Sequence, residues 1–195
     1  MPYEPKNFDS LLGLQGFSDQ LLKNHFTLYQ GYVTNTNKLA DALAAMIKDG
    51  KQSTPDFAEL KRRFGWEFNG MRLHELYFGN IAKGGKALAD GALKKQIIKD
   101  FGSSENWEKD MKATTGMRGI GWAVLYWDIP GKRLFNCWIN EHDVGHLSTA
   151  APILVIDVFE HAYMLDYQLK KADYVEALFK VIDFSEAERR MKLVG

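Results

Sequence analysis

The stretch from Asn140 to Tyr163 constrains this chain more than any other, because in it an apolar, β-branched run ends in a carboxylate. Pro152-Ile-Leu-Val-Ile leads straight into Asp157, and His161 follows four residues later. A carboxylate buried at the end of such a run is costly unless something compensates its charge. A bound metal cation does so, and His161 then becomes a second ligand to the same ion. The segment also carries His142 and His146, so it holds three of the five histidines.

The other two histidines fall on helical stripes. Residues 1–13, punctuated by Pro and Gly, read as an extended arm. From about Ser18 to Lys48, Leu21, Leu22, His25, Leu28, Tyr29 and Tyr32 share one stripe, and Asp49-Gly50 closes the helix. Ser53-Thr-Pro-Asp56 offers a hydroxyl cap and a first-turn proline. The helix it starts places Phe57, Leu60, Phe64, Met71, His74 and Phe78 on a common face and is expected to run to Gly84-Gly85. An antiparallel helical hairpin over residues 1–85, with one histidine on each inward stripe, is the expected first domain.

Residues 86–195 change texture. Helices are expected at about Lys86–Asp100 and from Phe101-Gly-Ser-Ser104 through Met111. Gly121–Trp127 and Arg133–Ile139 are aromatic, β-branched runs joined by Asp128-Ile-Pro-Gly131, a hairpin signal, and Pro152–Val158 supplies a third strand. Helical pattern returns at Tyr163–Leu169, Tyr174–Phe184 and Ser185–Leu193. The reading is an α+β fold: a helical hairpin packed on a C-terminal domain whose three-stranded antiparallel sheet is flanked by helices.

Three imidazoles (His25, His74, His161) and one carboxylate (Asp157) make a mixed nitrogen and oxygen donor set suited to iron, manganese or zinc. The absence of thiolates disfavours a structural zinc site. Lys plus Arg equals Asp plus Glu, 25 each, which argues against nucleic-acid binding driven by bulk charge. One cysteine, Cys137, excludes an intrachain disulfide framework. No apolar run approaches membrane-spanning length, and Met-Pro-Tyr-Glu-Pro-Lys-Asn lacks the pattern of a signal peptide. A cytoplasmic protein without a membrane partner is the expectation.

These residues carry a family resemblance. Asp157-Val-Phe-Glu-His-Ala-Tyr163 resembles the iron/manganese superoxide dismutase signature D-x-[WF]-E-H-[AS]-[YF] at every position. His25, Tyr32-Val33, Asn69 ahead of His74, Phe101-Gly-Ser and Gly119-Ile-Gly-Trp122 follow in the family's order, so the resemblance spans about residues 20–185. It implies one iron or manganese ion per subunit, with His25, His74, Asp157 and His161 as ligands. It implies Tyr32 at the mouth of the substrate funnel relaying protons, Trp122 and Phe159 as aromatic walls, and ping-pong disproportionation of superoxide to dioxygen and hydrogen peroxide. Glu160 and Tyr163 would lie at the interface of a homodimer or tetramer.

Three departures sharpen the expectations. Family members place a glutamine either four residues before the second-helix histidine, here Gly70, or fifteen before the aspartate, here His142. His142 resembles the archaeal variant with an N-H-x-x-N-H segment, and is expected to contact the metal-bound solvent; His146 is expected as a loop or outer histidine. His25 to Tyr32 is seven residues where the family has eight, which predicts a more regular first helix with His25, not Asn24, still facing the ion. Leu28 replaces a histidine that in the family bridges subunits to the tyrosine of E-H-A-Y, with Tyr29 as a candidate substitute. Two other functions compete: a degenerate family member with a structural role, and a mononuclear non-haem iron oxygenase, for which three histidines and an aspartate leave too few open positions.

Overall fold

Two hydroxyls start the long helices, the second of them within the expected Ser53-Thr-Pro-Asp56 start. In the computed structural model, which describes residues 1–194, Ser18 Oγ accepts the Leu21 N–H at 3.1 Å to open α1 (Asp19–Lys48). Thr54 Oγ1 accepts the Phe57 N–H at 3.3 Å to open α2 (Pro55–Gly79). Helix α1 runs unbroken for 30 residues, so the short His25–Tyr32 step lies in regular helix. Its buried stripe is Leu21, Leu22, His25, Phe26, Tyr29 and Val33. Leu28, expected on that stripe, is 42% exposed: one residue before Tyr29, it is turned about 100° away from it.

Helix α2 ends five residues before the expected Gly84, and its neighbours in space explain why. Asn80, fully buried, presents its amide to the backbone of Val155, donating to the carbonyl at 3.2 Å and accepting the N–H at 3.0 Å. Ile81 then bridges Ile182 and Lys86 bridges Asp183, with a turn at Lys83-Gly84 between them, so this segment is not helical. Helix α3 (Ala92–Phe101) accordingly starts later than the expected Lys86. Its first N–H groups, on Ala92 and Leu93, are capped by the Glu188 carboxylate at 3.1 and 2.8 Å. Helix α4 (Ser104–Gly116) is capped by Ser103.

Strands β1 (Gly121–Asp128), β2 (Arg133–Asn140) and β3 (Ala150–Asp157) form an antiparallel sheet in the order β2-β1-β3. The central β1 is buried from Gly121 to Trp127, which is why it reads as a continuous apolar run. Pro152 lies on the edge strand beside a register shift at Leu125/Tyr126, where the lost N–H is tolerated. After β3 a 3₁₀ turn (Glu160–Ala162) precedes α5 (Met164–Tyr167), α6 (Lys171–Phe179) and α7 (Phe184–Val194). The helix expected over Tyr163–Leu169 is thus a single turn. Trp122 pairs with Asp157 across β1 and β3, and β3 packs against α2. That contact brings Asp157 to the histidines of the helical hairpin.

Candidate metal centre

Asp157 is fully buried, and its two carboxylate oxygens are used differently. Oδ1 accepts the Phe159 N–H at 2.9 Å, which fixes the carboxylate plane. Oδ2 faces three imidazole Nε2 atoms: His25 at 3.1 Å, His161 at 3.3 Å and His74 at 3.6 Å. One donor atom from each of the four residues lies within 4.8 Å of the others. Tyr174 Oη donates to the Asp157 carbonyl at 2.6 Å and ties the strand end to α6. His25, not Asn24, supplies the α1 member: Asn24 is exposed and bonded to Gln20.

Burial lowers the His74 pKa well below the usual imidazole range, and the neighbouring His25 adds to that. His25 is lowered for the same first reason, against the pull of Asp157. Both rings are therefore neutral and free to ligate near pH 7. Burial alone would raise the Asp157 carboxyl, but His161 and His25 outweigh it and hold the group ionised. The His74 tautomer follows from its partner. Nδ1 donates to the Gly70 carbonyl at 2.6 Å, which leaves a bare, buried Nε2 with no hydrogen-bond partner, facing the carboxylate. Three imidazoles and a carboxylate converging on one point, one nitrogen of them orphaned, fit a single iron or manganese ion. The four residues can hold one metal ion.

A polar outer ring surrounds this group. The Trp122 indole N–H can only donate, so His142 Nδ1, 3.1 Å away, is the acceptor. Burial lowers the His142 pKa from 6.5 to about 4, so the ring is neutral and its proton sits on Nε2. That N–H donates to Tyr32 Oη at 2.8 Å. Both His142 nitrogens are thus hydrogen-bonded within the chain, to Trp122 and to Tyr32. The Tyr32 ring stacks on His74 at 5.1 Å and covers Gly70. A Cβ at position 70 would stand 2.6 Å from Tyr32 Cδ1, so the glycine makes room for the tyrosine. Phe159 stacks between His142 at 4.7 Å and His161 at 5.2 Å.

A family model described as iron/manganese superoxide dismutases, C-terminal domain, matches residues 89–190. An iron superoxide dismutase of Aquifex pyrophilus is 37% identical over 194 residues, covering 97% of this chain and 91% of that protein. A manganese superoxide dismutase of Haloferax volcanii is 36% identical over 191 residues, covering 97% and 92%. The iron enzyme of Sulfolobus acidocaldarius is 34% identical over 168 residues, covering 84% and 80%. The chain belongs to the iron/manganese superoxide dismutase family. Relatives named for each metal match it about equally well, so identity to them does not choose between iron and manganese.

Within that family frame, one expectation is overturned. Tyr29 cannot take the place of the bridging histidine, because its ring is fully buried between α1 and α2. Its hydroxyl donates to Glu75 at 3.0 Å and accepts the Lys6 N–H at 2.9 Å. The sequence reading also missed Trp66. Its ring lies 5.5 Å from Tyr32 and 4.5 Å from His142, beneath the Arg63 guanidinium at 3.9 Å, while its N–H donates to Glu141 at 3.0 Å. Position 66 lies eight residues before His74, on the same helical face, and that spacing is the signal that could have found it.

Proposed function

We propose that the protein is a superoxide dismutase working with one iron or manganese ion held by His25, His74, Asp157 and His161. The observation that carries the reading is the buried convergence of three Nε2 atoms on Asp157 Oδ2, in a chain of this family. Held by those four residues, an iron or manganese ion would supply the one-electron redox change by which two superoxides and two protons become dioxygen and hydrogen peroxide.

The chain supplies the rest. Burial, with Asp157 and Glu67 nearby, raises the Tyr32 pKa, so its hydroxyl holds its proton at neutral pH. Because Tyr32 Oη accepts from His142, that proton is free to be offered to an anion beside the ligand group. Trp122 fixes the His142 tautomer and so sets the direction of the whole chain of donors. Trp122 and Phe159 exclude water from the ligand group.

The assembly belongs to the same proposal. Glu160 is exposed beside His161, and Leu28, Met164 and Leu165, at 42%, 36% and 55% exposure, line the same groove. In a homodimer, the minimum assembly of a dimer or tetramer, Glu160 reaches His161 of the partner subunit and Tyr163 lies at the same interface. The division at residues 85/86 is likewise proposed, supported by a family model that begins at residue 89. A cytoplasmic setting suits the unpaired Cys137. Among the described residues no helix is long and apolar enough to cross a membrane.

The test is superoxide consumption by protein loaded separately with iron and with manganese. Turnover with at least one metal is expected. Stoichiometric metal without turnover would favour the degenerate member, and oxygen uptake dependent on a co-substrate would favour the oxygenase.

A further inference from the structure

The loop that carries His142 has little of its own to hold it. Glu141, Asp143, Val144 and Gly145 are all exposed, although His142 between them is fully buried. Asn140 and Val144 pair through both backbone bonds, at 2.8 and 3.3 Å, and so close a tight loop with His142 at its tip. Glu141 there has φ 52, and Gly145 has φ 103. A side chain at Gly145 would come within 3.0 Å of the Trp138 carbonyl, so only glycine makes this turn without strain. The turn brings His146 back beneath the loop tip.

There the His146 imidazole is used at both ends. The His142 carbonyl can only accept, so His146 Nε2, 2.8 Å away, carries the proton and donates to it. Nδ1 pairs with the Tyr126 hydroxyl at 2.7 Å, on the central strand β1. Asn69 of α2 abuts the same ring at 3.4 Å. The tip is also held by Trp66, which donates to Glu141 at 3.0 Å, by the Glu141 N–H on the Ile120 carbonyl at 3.3 Å, and by the bonds of Trp122 and Tyr32 to the His142 ring.

We propose that His146 is a positioning residue for the reaction: it transmits the position of β1, through Tyr126, to the backbone of His142, and thereby sets the His142–Tyr32 hydrogen bond. The inference rests on the dismutase reading above. Without His146 the His142 carbonyl loses its tie to β1 through Tyr126, and the His142 ring loses the register that lets it meet Trp122 and Tyr32 together.

The experiment compares metal-loaded wild type with His146→Ala, His146→Gln and Tyr126→Phe. Metal content, melting temperature, kcat and KM for superoxide, and crystal structures are measured for each. For His146→Ala we expect full metal content and a kcat lowered roughly tenfold, the scale of losing an outer partner of a metal site. KM is expected to change less than kcat, and His142 to be displaced from Tyr32 in the crystal. Gln has an N–H and a carbonyl to replace the two ring nitrogens, so His146→Gln should recover most of the loss. Tyr126→Phe removes one hydroxyl only and should show a smaller loss of the same kind, which keeps the test alive if the alanine variant does not fold. A variant that melts lower but keeps wild-type kcat per metal and an intact His142–Tyr32 contact would overturn the proposal. So would a folded glutamine variant no better than alanine. If wild type binds metal and consumes no superoxide, the dismutase reading fails instead, and the crystal structures still decide whether His146 positions His142.

Discussion

The four residues of the ligand group and the two outer histidines of the 141–149 loop are neighbours, yet they are held in different ways. His25, His74 and Asp157 project from within two long helices and from the end of a sheet strand, all fully buried. Their positions follow from backbone packing. His142 is as buried as they are, but it stands on a tip of exposed residues and is located by side-chain hydrogen bonds to Trp122 and Tyr32. The difference teaches where tolerance lies. On the proposed function, damage to the first set should cost the ion, and damage to the second should leave the ion in place and alter proton delivery.

Asp157→Asn breaks the first set most severely. Three imidazoles lose the carboxylate oxygen they face, so metal content should fall to a small fraction of one per chain, and superoxide consumption should fall by roughly 100-fold or more with it. Metal analysis and the activity assay on one preparation check this together. Gly70→Ala probes the seam between the two sets. Its Cβ would stand 2.6–3.0 Å from three carbons of the Tyr32 ring, so the ring must move. Overpacking of this kind costs about 1–3 kcal/mol. The variant should keep its metal and lose most of its turnover.

His142→Gln acts on the second set alone. It should alter both turnover and the ratio of iron-supported to manganese-supported activity, and no change in either would contradict the role given to His142. It also carries a pH signature. The folded protein holds His142 near pKa 4 against 6.5 when the ring is free, so the unfolded chain takes up its proton first. Stability of the metal-free protein therefore falls as pH drops from about 6.5 toward 4, and His142→Gln should flatten that slope in melting curves. Asn80→Ala should have the least effect on turnover. It leaves the Val155 backbone and an Arg190 N–H without partners, for a loss of about 1–3 kcal/mol seen by urea unfolding, with metal content intact.

The same contrast explains how far the molecule could be read in advance. The first helix, the three strands and the ligand group were legible because periodicity, caps and a buried carboxylate are local signals. The ends of α2 and α3 were not. Asn80 leaves its helix to pair with Val155, and Glu188 caps α3 from across the molecule, so both boundaries are set by residues about a hundred positions or fewer away in sequence but adjacent in space. Leu28 was misplaced because a stripe read by apolar character alone extends past the face that is buried. Trp66 was missed because no chemistry marks an indole until the tyrosine and histidine it packs against are seen together.

Anomalous diffraction from crystals of the metal-loaded protein, at the absorption edge of the loaded metal, tests the central claim most directly. The account predicts one peak per chain, bonded to the Nε2 atoms of His25, His74 and His161 and to Asp157 Oδ2, with α1 still regular between His25 and Tyr32. A peak that leaves out His25, or a site completed by Asn24, would contradict it.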